Sequence, residues 1–289
     1  MLKHDEAICP ICLGRSKLVH KGTRDDQNID VYQCSTCGTK FLSVVDRQND
    51  YESGFMYETN QLSDLNIEER LRLFSIDDMR RCEMVKDKCR GKRILDFGCG
   101  FGGFLHYISE VTDLYCGVEL GKQERDYLNG KGVSCFKDIE ECKGKFDVIT
   151  LFHVFEHLNN PRMWLDKLAD YLVKDGYLII EVPNANDILL CLYENEAFAD
   201  FTYWSAHLFL YTMKSLSMLI NECGKYNILS AEQVQRYPIT NHLMWLAKGK
   251  PGGHNSWKFL DSDNLDRAYE AKLAELEMCD TLFFILQVK

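Results

Sequence analysis

The chain has 289 residues, 46% apolar and 27% charged, enough to bury a substantial core and unlike a disordered or fibrous chain. Its 34 basic residues against 44 acidic ones leave a formal charge of -10, which excludes a chain-wide electrostatic grip on nucleic acid or an anionic membrane. The start, Met1 to Glu6, lacks the apolar core of a signal peptide, and no apolar run approaches the ~20 residues that span a bilayer, so a cytoplasmic protein with reduced cysteines is expected.

Four of the 13 cysteines are paired in sequence: Cys9 with Cys12 and Cys34 with Cys37, with 21 residues between the pairs. Each C-x-x-C places two thiolates on a tight turn, Cys9-Pro10-Ile11-Cys12-Leu13-Gly14 and Cys34-Ser35-Thr36-Cys37-Gly38, where the trailing glycine is expected to take the positive φ that closes the knuckle. Four soft ligands suit a structural Zn²⁺ and leave no open position for metal catalysis. A redox reading would want a thioredoxin-like βαβ context, which the short strand-like stretch from Asp30 to Cys34 does not provide.

From Leu62 to Cys89 apolar residues recur at helical spacing, with Ser75 and Asp78 fitting a capping box between two helices. Short apolar strands then alternate with helical stretches: Arg93 to Phe97, Tyr115 to Glu119, Val133 to Phe136, Phe146 to Phe152 and Tyr177 to Val182. That alternation predicts an α/β fold with a doubly wound parallel sheet. Asn160 and Pro161 open a helix with Trp164, Leu165, Leu168, Tyr171 and Leu172 on one face, and another helix runs from about Thr212 to Cys223 and stops at Gly224. Strand character returns at Tyr226 to Arg236 and Thr281 to Val288, on either side of a long insertion.

The first parallel strand leads into Asp96-Phe97-Gly98-Cys99-Gly100-Phe101-Gly102-Gly103 and at once into a helix, a turn that brings backbone N–H groups close to a ligand. Gly98, Gly100 and Gly103 spell the dinucleotide pattern G-x-G-x-x-G, while Asp96, Gly98, Gly100 and Gly102 spell an acidic-x-G-x-G-x-G pattern. Glu119, 23 positions after Asp96, suits both, because a carboxylate there can accept two ribose hydroxyls. Asp138-Ile139 offers an acid for an adenine amino group and an apolar face for its ring.

Phe146-Asp147-Val148-Ile149-Thr150-Leu151-Phe152-His153-Val154-Phe155-Glu156-His157-Leu158, followed by Asp175 to Asn184, resembles the fourth and fifth strand motifs of class I S-adenosylmethionine-dependent methyltransferases. The resemblance covers residues 92 to 224 and implies a Rossmann-like seven-stranded sheet whose sixth and seventh strands are antiparallel, preceded by a small zinc ribbon. The organisation it implies is a zinc-ribbon module and aromatic linker over 1–60, a helical connector over 61–91, and the S-adenosylmethionine-binding domain over 92–289 with an insertion at about 238–280. It assigns Asp96, Gly98 and Gly100 to the methionine end, Glu119 to the ribose, Leu120, Asp138 and Ile139 to the adenine, and the Phe152 carbonyl to the cofactor's amino group. Core packing is an equal reading of Leu120 and Ile139. Phe101 and Phe104 offer aromatic surface for the sulfonium, or for the core.

A hydroxyl acceptor is a poor nucleophile and gains from a base, for which histidine is best poised near neutral pH. His153, after the fourth strand, and His207, in Ala206-His207-Leu208-Phe209, stand where the resemblance places the acceptor. Sugar C-methyltransferases with a cysteine module resemble the chain too, but carry Glu before that histidine where Ala206 stands here, which favours oxygen as the methylated atom. Tyr51 and Tyr57 match an aromatic segment that covers the cofactor, or simply pack in the linker. The expected activity is O-methylation of a sugar or small-metabolite hydroxyl in glycan assembly; a sugar C-methyltransferase and an inactive zinc-ribbon adapter are the alternatives. Residues 233–260 hold no Asp or Glu but include Arg236, Lys248, Lys250, Lys258, His242 and His254, which suggests a lid for a phosphate-bearing acceptor or a contact with an acidic subunit.

Overall fold

A computed structural model describes residues 6–44 and 65–289. Tyr51 and Tyr57 lie outside the described residues. The amino-terminal strands β1 (Glu6–Ile8), β2 (Arg15–His20), β3 (Val31–Cys34) and β4 (Lys40–Leu42) form an antiparallel meander. Helix α1 (Ile67–Cys89) leads from there to the large sheet.

That sheet contains β5 (Arg93–Phe97), β6 (Leu114–Val118), β7 (Cys135–Phe136), β8 (Phe146–Phe152), β9 (Leu172–Pro183), β11 (Tyr226–Val234) and β12 (Thr281–Val288). Its order is β11-β12-β9-β8-β5-β6-β7. The five strands from β5 to β9 pair in parallel, whereas β12 runs antiparallel to both β9 and β11. The chain reverses its winding direction at β5, between β6 and β8, and the crevice at the carboxyl ends of these strands is where open α/β sheets bind ligands. Ile94, Leu95, Val148, Ile149, Ile179 and Ile180 are fully buried, as expected of central strands covered on both faces.

Helices α2 (Gly103–Ile108), α3 (Lys122–Gly130) and α4 (Pro161–Asp170) are crossover connections. The Asn160 side chain accepts from Met163 N at 3.2 Å and Pro161 occupies the first turn. Two short helices, α5 (Ile188–Cys191) and α6 (Glu196–Thr202), precede β10 (Phe209–Leu210) and α7 (Met213–Cys223), which ends on left-handed Gly224. The insertion folds as α8 (Ile239–Lys248), α9 (Gly253–Ser256) and α10 (Asp263–Glu275).

Three local expectations change. The connector is one helix, whose capping box is formed by Asn66 and Glu69, not by Ser75 and Asp78. Ser75 lies inside the helix and its hydroxyl donates back to the Arg72 carbonyl at 2.8 Å, while Asp78 turns to Arg81. In the first cysteine knuckle Leu13 takes the positive φ, at 60°, not Gly14, whose role is steric: a Cβ there would lie 2.6 Å from Thr36 Oγ1. Strand β9 begins at Leu172, five residues before the apolar run at Tyr177, and left-handed Asp175, at φ 60°, lies in the stretch where its pairing with β8 shifts register between Phe146 and Val148.

The small and large sheets are not independent. β10 pairs antiparallel with β4, adding a strand from the carboxyl-terminal half to the amino-terminal sheet. Thr212 Oγ1, the cap of α7, donates to the Cys37 carbonyl at 2.7 Å, and Lys40 Nζ to the Ala185 carbonyl at 2.8 Å. Residues of both parts share one buried apolar cluster, including Ile11, Phe41, Phe209 and Tyr211.

Candidate functional site

Strand β5 delivers Asp96, nearly fully buried, to the start of the glycine loop, where Thr150 Oγ1 donates to Asp96 Oδ1 at 2.7 Å. Burial pushes the Asp96 carboxyl up to about 7, against the Thr150 hydroxyl and with help from neighbouring Asp78. Gly98, Gly100 and Gly102 all have positive φ, at 78°, 51° and 76°. A Cβ on Gly98 would lie 2.3 Å from Val154 Cγ2 and one on Gly102 2.5 Å from Leu128 Cδ2, so these two glycines permit close packing. Gly100 faces open space, with nothing within 4 Å of such a Cβ. That opening is the cradle a ligand can approach.

Glu119 follows β6 and its carboxylate fixes the loop: Gly100 N donates to Oε2 and Gly121 N to Oε1, both at 2.8 Å. Leu120 is 37% exposed beside it, whereas Ile139 is 1% exposed within the core. Asp138 is exposed and precedes the short turn that carries Ile139. Phe101 packs edge-on against Tyr127, and buried Phe104 edge-on against Phe152 at 4.8 Å between ring centres.

After Phe152 the chain turns through His153, whose φ of 55° is left-handed and strained for a non-glycine residue. Side-chain and backbone bonds hold it there. His153 N donates to the Glu181 carbonyl at 2.8 Å, and His153 Nε2 lies 3.1 Å from Glu181 Oε1 and 3.0 Å from Arg236 Nη1. Glu181 is fully buried and receives Arg81 Nε at 3.0 Å, Arg81 Nη2 at 2.7 Å and Arg80 Nη2 at 2.9 Å. Arg236 in turn holds Asp77 with Nε at 3.1 Å from each carboxylate oxygen. This lattice on α1, β9 and β11's end was not singled out from the sequence. Its signal was present: one carboxylate inside the apolar run Tyr177 to Val182 demands buried cations, and Arg80-Arg81 beside Asp77-Asp78 supplies them.

A cavity of about 230 Å³ opens at the carboxyl ends of β8 and β9, lined by His153, Asn184, His207, Arg236, His242 and Trp245 among others. The structure therefore brings His153 and His207 to one cavity. Burial pushes the His207 imidazole down to about 3, helped by His157, so it is neutral. The insertion supplies the opposite wall through α8, whose His242 and Trp245 are buried. Its basic residues have separate fates. Arg236 is committed to Asp77, Lys248 and Lys250 are exposed, and the Gly249 and Gly252 N–H groups bond Trp245 O and Asn241 Oδ1. Gly249 and Gly252 therefore shape helix ends and do not present a nest of N–H groups.

At the other end, Cys9, Cys12, Cys34 and Cys37 place their Sγ atoms within 4.8 Å of one another. The Cys9–Cys37 and Cys12–Cys34 separations are 3.7 and 3.4 Å, close to the ~3.8 Å edge of a tetrahedron with Zn–S of ~2.3 Å. Ile11 N donates to Cys9 Sγ at 3.4 Å and Thr36 N to Cys34 Sγ at 3.3 Å, which stabilises thiolate charge. The donor set fits zinc.

A family model described as "Methyltransferase domain" matches residues 62–229. The chain belongs to that family, the class I S-adenosylmethionine-dependent methyltransferases. Ubiquinone biosynthesis O-methyltransferase of Shewanella pealeana is 26% identical to this methyltransferase over 107 residues, 33% of this chain and 45% of that protein. (S)-coclaurine N-methyltransferase of Papaver somniferum is 28% identical over 109 residues, 34% of this chain and 30% of that protein. The methyltransferase thus spans about half or less of the length of these curated relatives. Among solved structures, the plantazolicin methyltransferase BamL, in complex with a desmethylPZN analogue and SAH, superposes with a TM-score of 0.51 at 15% identity, covering 83% of this chain and 97% of that one. A SAM-dependent methyltransferase from Archaeoglobus fulgidus gives 0.50 at 19% identity over 75% and 94%. Both show the shared fold. No helix among the described residues is long and apolar enough to cross a membrane.

Proposed function

We propose that this methyltransferase transfers a methyl group to a hydroxyl of a sugar or other small metabolite held in the cavity beside His153 and His207. The observation that carries the reading is the position of that cavity, at the strand ends that follow the glycine cradle, with His153 and His207 among the residues in its wall. S-adenosylmethionine, when bound, supplies an electrophilic methyl on a sulfonium. Asp96 and the turn at Gly98 and Gly100 would receive its methionine end, Glu119 its ribose, Leu120 and Asp138 its adenine, with Ile139 packing in the core beneath, and the Phe152 carbonyl its amino group. His207 is the better placed of the two histidines to take the acceptor's hydrogen bond, because its Nδ1 is buried without a partner while His153 is held by Glu181 and Arg236. Holding the hydroxyl at attack distance supplies much of the rate. Cys9, Cys12, Cys34 and Cys37 would hold a structural Zn²⁺. Mass spectrometry of products from isotopically labelled cofactor and a panel of nucleotide-linked sugars, phenols and amines tests the reading. Label on a sugar or phenolic oxygen is expected; label on nitrogen or carbon, or cofactor binding without any transfer, overturns it.

The raised Asp96 carboxyl has a consequence for cofactor binding. Without ligand it keeps a proton to about pH 7, whereas an unfolded aspartate loses it near 4, so its contribution to stability is present at low pH and lost as pH rises through that window. A cationic ammonium beside it favours the carboxylate. Cofactor binding near pH 6 should therefore release a proton and should tighten as pH rises to about 7. Calorimetry in two buffers of different ionisation enthalpy checks this; Asp96→Asn should abolish the release, and equal heats in both buffers for the unmodified protein would contradict it.

A further inference from the structure

We propose that Glu156, His157 and His207 form a second metal site, distinct from the cysteine cluster, for one first-row divalent cation. One donor atom from each of the three lies within 4.8 Å of the others. Cation–donor distances of ~2.1 Å separate neighbouring donors by ~3.0 to 3.4 Å, so modest side-chain adjustments close the set.

Four buried polar groups here lack the partners that such groups almost always have. Glu156 is fully buried, yet neither carboxylate oxygen accepts a hydrogen bond; the nearest imidazole, His153 Nδ1, is 3.4 Å from Oε1. The Tyr211 hydroxyl, also fully buried and within electrostatic reach of Glu156, has no partner either. His207 Nδ1 and Trp204 Nε1 are likewise unsatisfied. An ionised carboxylate in such surroundings calls for a cation.

The surrounding bonds have the form of a metal site's outer contacts. His157 Nδ1 sits 2.8 Å from the Ala206 carbonyl, an oxygen that can only accept, so Nδ1 carries the proton and the lone pair is on Nε2. That Nε2 lies 3.9 Å from Glu156 Oε1. The same bond ties the turn after β8 to the segment carrying His207, so the donors come from two parts of the chain locked together. Two imidazoles and one carboxylate also differ from the four thiolates in what they select: nitrogen and oxygen donors accept manganese, iron or cobalt, and they leave coordination positions open. His207 and His153 line the cavity, so an open position faces it and can meet an oxygen donor of the acceptor. That use of the site rests on the proposed function, and there His207 serves as ligand instead of base. Metal binding itself does not depend on it.

The test is Mn²⁺ titrated into the full chain already loaded with zinc, without cofactor or acceptor, followed by electron paramagnetic resonance of the free ion. One Mn²⁺ per chain is expected. Glu156→Gln, which keeps shape and removes charge, should weaken it at least about tenfold, as should His207→Asn, while Glu275→Gln, which removes an exposed carboxylate on α10, should not. Circular dichroism confirms that each variant is folded, and His207→Asn decides if Glu156→Gln is not. No Mn²⁺ binding up to millimolar concentration, or binding unchanged in the folded variants, overturns the site. Cofactor calorimetry on the same sample reports separately on the methyltransferase reading.

Discussion

Glu181→Ala is expected to destabilise the protein by about 3–5 kcal/mol, the cost of breaking a buried ion pair from one side. The carboxylate is fully buried and is the shared acceptor for Arg80, Arg81 and His153. Burial alone would raise its pKa, but Arg81 and His153 outweigh burial and hold it well below the usual carboxylate range. A depressed carboxyl contributes stability that is complete above the unfolded value near 4.5 and is lost as pH falls towards the folded value. The alanine variant strands the Arg81 guanidinium, whose side chain is only 9% exposed, without its main counter-charge. It also frees the ring of His153, which stands on a strained backbone turn at the cavity wall. Urea denaturation at pH 7 measures the loss, and the difference from the unmodified protein should shrink on acidification. A variant within about 1 kcal/mol of the parent would show that the lattice is not a stabilising unit. Glu181→Leu combined with Arg81→Leu should cost less than the sum of the two single changes, since neither member of that pair is then left facing an empty place.

The same lattice shows where sequence reasoning stops. β5, β8 and β12 were readable to the residue, as was the start of the helix at Pro161, because each is bounded by a local signal, such as an apolar run, a glycine turn, or an asparagine cap with proline behind it; the helix end was not, since it stops at Asp170 and Leu172 opens β9. The acidic-x-G-x-G-x-G turn likewise fixed the cradle, since its glycines meet Val154 and Leu128 at distances no side chain allows. Local signals misled where tertiary contacts prevail. Ser75-x-x-Asp78 looks like a cap, yet Asp78 belongs to a charge lattice assembled from residues 100 or more positions apart, such as Arg81 with Glu181. The basic stretch of the insertion reads as an anion lid until Asp77, distant in sequence, takes Arg236, and Asn241 takes the Gly252 N–H. His157 stands in the strand motif without a chemical role of its own; only the fold brings it to 5.0 Å from His207, ring centre to ring centre.

Removing the Zn²⁺ proposed for the cysteine module should have the other large effect, and it should reach into the acceptor side. Structural zinc in small cysteine modules contributes ~10–16 kcal/mol of binding free energy to folding, as much as a whole domain's stability. Residues 6–44 have four short strands, and their apolar Ile11, Ile29 and Val31 belong to the cluster shared with the large sheet, so without metal little within the module itself keeps the two knuckles closed. Their partners would be affected in turn. β10 loses β4 as its neighbour, and the α7 cap loses the bond from Thr212 to the Cys37 carbonyl. β10 begins two residues after His207, so metal removal should loosen the cavity wall while the turn from Asp96 to Gly102, anchored by Thr150 and Glu119, keeps its order. Hydrogen exchange after dialysis against a strong chelator should show lost protection at 15–20, 31–34 and 209–210, with 93–97 still protected. Cofactor affinity should change little, whereas acceptor turnover should collapse and return with zinc. Undiminished protection over 31–42 in metal-free protein would mean that docking onto the methyltransferase core, not the metal, holds the cysteine module together.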